Sequence, residues 1–67
     1  SPNHGQADIL ISREREVLEL ISKVRIEKAV AAELFISYKT VKTHISNIYT
    51  KLQVNTRVEA LNKYFGR

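Results

Sequence analysis

No cysteine occurs in these 67 residues, so no disulfide framework, thiolate nucleophile or cysteine-ligated zinc can hold the fold or do chemistry. Glycine occurs twice and proline once, and the proline falls with one glycine in the first eight residues, "SPNHGQAD". That stretch has no apolar period and reads as a linker or cloning remnant, leaving residues 9–67 as the domain proper. No apolar run approaches the ~18 residues needed to span a bilayer, and the charged, apolar and small-residue sections of a secretion signal are missing. The expectation is a soluble chain of the reducing cytoplasm with no membrane partner. A chain of this length buries only ~60% of its unfolded surface, which suits one small domain and leaves no room for an enclosed active site.

Acidic residues are also scarce, in one half only. The first 37 residues carry five basic against six acidic side chains, whereas residues 38–67 carry six basic side chains against Glu59 alone. The net charge of +4 therefore sits almost wholly in the second half. A one-sided basic domain is the electrostatic footprint of a nucleic-acid binder, although basic surfaces also occur on domains that bind nothing acidic.

Four stretches read as helices. Ser12 is placed to cap "REREVLELISK", in which Val17, Leu18, Ile21 and Val24 recur at helical spacing; Arg15 then holds the third helical position, and the strict capping box fails. "EKAVAAEL", residues 27–34, is rich in good helix formers, and its alanines allow another helix to approach closely. After the interruption "FIS", Ser37 is placed to cap a third helix in which Val41, Ile45, Ile48 and Leu52 form one apolar stripe. Thr56 and Glu59 match the capping-box pattern T-x-x-E at the start of a fourth helix through Leu61 and Tyr64, which Gly66 closes. No alternating strand pattern appears, so the expected class is all-α: a compact four-helix domain containing a helix-turn-helix.

The third helix carries the functional signal. At about 100° per residue, the side opposite the apolar stripe presents Lys39, Thr43, Ser46 and Thr50, flanked by Lys42 and Asn47. An ordinary surface helix mixes Glu with Lys there, whereas "YKTVKTHISNIYTKL" has no acid. Hydroxyls, amides and lysines can meet base edges and phosphate oxygens, and a carboxylate would be repelled by a duplex. The bland alternative is a solvated amphipathic helix, since polar faces are common.

In order and spacing, "SREREVLELI" (12–21), "AAELFIS" (31–37), "TVKTHISNIYTKLQV" (40–54) and "RVEA" (57–60) resemble the LuxR-type (GerE-type) helix-turn-helix domain of bacterial transcriptional regulators, over nearly everything from Leu10 to Tyr64. The resemblance implies double-stranded DNA as partner, the third helix as recognition helix, and a fourth helix that supports the core and often contributes to a homodimer on an inverted repeat. It further implies base-reading roles for Lys42, Thr43 and Ser46 and backbone-contacting roles for Lys39, Thr40, His44, Asn47 and Lys51. Val17, Leu18, Ile21, Leu34, Val41, Ile45, Ile48, Leu52 and Ala60 correspond to core positions. Family members usually carry an N-terminal receiver or ligand-binding domain, as in response regulators of two-component systems and quorum-sensing regulators.

One departure stands out: Val24 takes the usual glycine position and Ile26 the usual cap between the first two helices, which removes both local stop signals. The break is still expected, because burying Val30 and Leu34 against the third helix requires it. His44 has no carboxylate within a turn and only His4 for company, so phosphate contact or a solvated edge fits better than a metal or acid–base site. Glu14, Glu16 and Glu19, with arginines between, read as exposed residues at a helix start, and Arg57 as structural with phosphate contact second. Tyr64 and Phe65 fit either core closure or a dimer patch. No enzyme activity, metal or cofactor is expected. Two rivals stay open: a promoter-binding domain like region 4 of sigma factors, in which the recognition helix is usually the last, and a helix-turn-helix protein-interaction module that no longer binds DNA.

Overall fold

Four helices follow the apolar spacing of the chain: α1 (Ser12–Lys23), α2 (Glu27–Leu34), α3 (Tyr38–Leu52) and α4 (Arg57–Phe65). They come from a computed structural model that describes residues 9–24 and 26–66, so the linker assigned to residues 1–8 lies outside the described residues. The described residues form no strand, and the class is all-α as expected. No helix among them is long and apolar enough to cross a membrane.

α3 is the centre of the domain and packs against each of the other three helices. Its stripe Val41, Ile45, Ile48 and Leu52 is buried, facing Val17, Leu18 and Ile21 of α1, Val30 and Ala31 of α2, and Ala60 of α4. Leu10, just before α1, joins this core. Leu34, expected in the core, is only half-buried at its edge, because it is the last residue of a short helix.

The start of α1 departs from expectation. Ile11, with φ −76° and ψ 164°, is the extended residue before the helix, and Ser12 is already helical. That shift of one makes Glu14 the third helical residue, and its carboxylate accepts the Ile11 N–H at 3.1 Å. Half of a capping box therefore exists, since isoleucine offers no side-chain acceptor in return. Glu14 is also not exposed: it is 2% accessible, turned inward to receive the ammonium of Lys51 at 2.9 Å. Glu16 and Glu19 are exposed as expected, Glu16 pairing with Arg13 at 3.0 Å.

The break between α1 and α2 forms without glycine or a side-chain cap. Val24 and Ile26 both adopt extended backbone, at φ −121° and −90°, which β-branched residues favour. A left-handed stop is unnecessary here; Val24 packs at the core edge while its N–H donates to the Leu20 carbonyl at 2.7 Å. The other two junctions use the left-handed region. Phe35 (φ 57°) and Gln53 (φ 60°) end α2 and α3 in paired backbone bonds, Ile36 N–H to Ala31 O with Phe35 N–H to Ala32 O, and Val54 N–H to Tyr49 O with Gln53 N–H to Thr50 O. Ser37 Oγ accepts the Thr40 N–H at 3.0 Å and Thr56 Oγ1 accepts the Glu59 N–H at 3.1 Å, so both expected caps are present. The Glu59 carboxylate reaches past Thr56 to the Asn55 N–H at 2.9 Å, and Gly66 closes α4 at φ 74°.

Candidate nucleic-acid interface

Burial of the apolar stripe fixes which side of α3 faces out. Lys39, Lys42, Thr43, Ser46, Asn47 and Thr50 are exposed, while Thr40, His44 and Lys51 are half-buried at the flanks. No acidic residue lies in the helix, and its positive dipole end, capped by Ser37, coincides with the end that carries Lys39 and Lys42.

The three residues given base-reading roles, Lys42, Thr43 and Ser46, are all exposed and lie between the second turn and the middle of the helix. Lys42 and Ser46 line a shallow groove of about 240 Å³ together with Glu27, Ile45 and Tyr49. Thr43 is exposed, but its hydroxyl donates to the Lys39 carbonyl at 3.1 Å, leaving its lone pairs and methyl group to face a partner. Thr40 shares a 2.8 Å hydrogen bond with Ser37 Oγ, so its hydroxyl is part of the helix cap.

Lys51 differs from the other lysines of α3. Its ammonium is held on buried Glu14, tying the C-terminal half of α3 to α1. Arg57 approaches Glu27 at 3.8 Å across the α4–α2 gap, in keeping with a structural role. Glu27 thereby brings one carboxylate to the rim of the polar face; the absence of acid holds for α3 and not for its surroundings. Burial raises the Tyr49 phenol above its ordinary value, against the opposing pull of the Arg57 guanidinium.

Two residues of this surface went unnoticed in the sequence: Tyr38 and Lys28. The Lys42 ammonium lies 5.5 Å from the centre of the Tyr38 ring, and the Lys28 ammonium, from α2, lies 5.7 Å from it. The Tyr38–Lys42 spacing of i,i+4 was readable; the arrival of Lys28 depends on how α2 crosses α3. At the opposite end, Tyr64 packs against the core and its hydroxyl donates to Glu19 Oε2 at 3.3 Å. Phe65 meets the Tyr64 ring edge-on, with centroids 4.8 Å apart, and stays partly exposed. Burial and the Glu19 carboxylate raise the Tyr64 phenol above its usual value. His44 stands in no cluster of metal-ligating groups among the described residues.

A helix-turn-helix with an outward basic face meets a matching family model: "Bacterial regulatory proteins, luxR family" covers residues 8–63. The chain belongs to that family. LuxR-family domains of this kind are the DNA-binding helix-turn-helix modules of transcriptional regulators. The chain is 51% identical over 53 residues to the spore germination protein GerE of Bacillus subtilis (strain 168), covering 79% of this chain and 72% of GerE. It is 51% identical over 51 residues to the transcriptional regulatory protein LiaR of the same organism, covering 76% of this chain but 24% of LiaR. Against the probable transcriptional regulatory protein NarL of Mycobacterium tuberculosis (strain ATCC 25618 / H37Rv) it is 46% identical over 55 residues, covering 82% of this chain and 26% of NarL. The chain thus spans most of GerE but about a quarter of the two larger regulators. No solved structure matches it.

Proposed function

We propose that this LuxR-family domain binds double-stranded DNA sequence-specifically by laying α3 in the major groove, and that it serves as the DNA-reading part of a bacterial transcriptional regulator of the response-regulator or quorum-sensing type. The observation that carries this reading is the exposed face of α3, where lysines, hydroxyls and amides stand without a single acid while the opposite stripe is locked in the core. Such a face is compatible with phosphates and base edges, and the helix N-terminus adds dipole attraction for anions.

In this reading Lys42, Thr43 and Ser46 meet base edges, whereas Lys39, His44 and Asn47 meet the phosphate backbone. Thr40 contributes through the N-terminal turn that its hydroxyl helps to cap. Lys51 is reassigned: its ammonium on Glu14 suits a brace for the helix better than a phosphate contact. Binding needs neither catalysis nor a cofactor. Two copies would read an inverted repeat, with the partly exposed Phe65 and the adjoining Tyr64 as the patch between them. A further N-terminal receiver or ligand-binding domain would supply the signal, in line with the small share of LiaR and NarL that the chain spans.

Lys42→Ala tests the reading. A good bidentate base contact discriminates by roughly 1–3 kcal/mol, so affinity for a duplex selected from a random pool should fall by about tenfold or more. Loss on a scrambled duplex should be smaller. Equal losses on the two, measured by fluorescence anisotropy, would reduce Lys42 to a backbone contact.

A further inference from the structure

Both helices of the helix-turn-helix send a lysine to one aromatic ring. Lys28 comes from the first turn of α2 and Lys42 from the second turn of α3, and their ammonium groups lie 5.7 Å and 5.5 Å from the centre of the Tyr38 ring. Neither lysine has an ion pair among the described residues, although Glu27 stands beside Lys42 on the groove rim. Glu27 faces Arg57 instead.

Each ammonium meets the same ring, and because Glu27 faces Arg57, neither lysine is neutralised by an ion pair among the described residues and both remain available to an anion. A lysine side chain also has considerable rotamer freedom to lose on being fixed, so a ring that already restrains it favours a defined contact. Tyr38 is the first residue of α3, part exposed, and its ring borders the end of the helix given to base reading.

We infer that Tyr38 is a positioning residue: its ring aims the Lys42 ammonium at a base edge in the major groove and holds the Lys28 ammonium for a phosphate of the same duplex. This rests on the DNA-binding reading above and adds two residues to it. Lys28 extends the contact from α3 to α2, so that one ring sets the spacing between a sequence-reading cation and a backbone-neutralising one. The ring, and not the phenol hydroxyl, carries the effect.

The test uses the whole 67-residue chain and two duplexes, one selected from a random pool and one scrambled. Cation–π contacts at exposed sites correspond to about two- to five-fold in binding, so Tyr38→Leu should lower the selected-to-scrambled affinity ratio by about that factor. Tyr38→Phe, which keeps the ring, should stay near the original ratio. In a Lys42→Ala background, Tyr38→Leu should cause no further loss of selectivity, since the ring acts through Lys42. Lys28→Gln should weaken both duplexes alike and lower the salt slope of log K by about 0.9, one phosphate neutralised.

Circular dichroism of each variant establishes that the helices are retained. An unchanged ratio with Tyr38→Leu, a loss that persists when Lys42 is already alanine, or an unchanged slope with Lys28→Gln would overturn the inference while DNA binding itself stood. If the unmodified chain bound no duplex at low salt, the DNA-binding reading would fall, and this inference with it.

Discussion

Removing Glu14 should unsettle α3 although the residue lies on another helix. Its carboxylate, 2% exposed, accepts the Ile11 N–H at 3.1 Å and the Lys51 ammonium at 2.9 Å. Hydrogen bonds to charged groups contribute about 1.5–3 kcal/mol each, which sets a ceiling of roughly 3–6 kcal/mol for the pair. The Lys51 side chain is 35% exposed, so its freed ammonium regains water and its share must be discounted. For Glu14→Ala a loss of about 2–4 kcal/mol remains, large against the ~3–10 kcal/mol typical of a domain this size. The melting temperature should drop by about 8 °C or more. Lys51→Met leaves a buried carboxylate with only the Ile11 N–H and should cost a similar amount. Combining it with Glu14→Gln should cost less than the two single changes added together, by about 1–2 kcal/mol. Urea unfolding followed by circular dichroism measures all of these. A Glu14→Ala loss below about 0.5 kcal/mol, or strict additivity in the double variant, would refute the claim that this pair braces α3.

Lys51→Met should also leave the salt dependence of DNA binding unchanged at a temperature where the variant is folded; a slope reduced by about 0.9 would return Lys51 to the phosphate contacts. Phe35→Gly and Gln53→Gly should each stabilise the fold by about 0.5–1 kcal/mol: a side chain in the left-handed region costs ~1–2 kcal/mol, glycine's unfolded freedom returns part of it, and neither exposed side chain has much burial to lose. Lower urea midpoints for both would contradict this. Ser37→Ala should cost ~1 kcal/mol by freeing the Thr40 N–H, and an unchanged melting curve would show that water substitutes fully. Burial holds the Tyr49 phenol above its ordinary value near 10, so the folded chain keeps a proton that the unfolded chain releases. That stabilisation is fully present below about pH 10 and is lost as pH rises through the folded value. Tyr49→Phe should therefore lose less stability on going alkaline, and identical pH profiles would contradict the cause assigned.

The apolar spacing made the helices legible, because a strict stripe such as Val41, Ile45, Ile48 and Leu52 can be buried only as a helix. α3 and α4 begin where the Ser37 and Thr56 caps place them. α1 starts one residue earlier than capping rules place it: Ser12 is the better local cap, but with Ile11 outside the helix Glu14 reaches both the Ile11 N–H and Lys51. Local rules had no access to Lys51, 37 residues away. The same holds for Lys28, which reaches Tyr38 only through the crossing of α2 and α3. Val24 and Ile26 looked like lost stop signals because the expected stop was left-handed; the chain instead turns through extended backbone, which those two residues favour. The exposed polar face of α3 was legible from the wheel alone, whereas the internal bonds of Thr40, Thr43 and Lys51 were not.

Amide chemical-shift mapping during titration with a selected duplex bears most directly on the central claim that the exposed face of α3 meets DNA. The largest perturbations should run from Lys39 to Asn47 and include Tyr38 and Lys28, with the buried stripe and α4 responding less. A titration that saturates while residues 38–47 stay undisturbed, and another surface shifts instead, would contradict it.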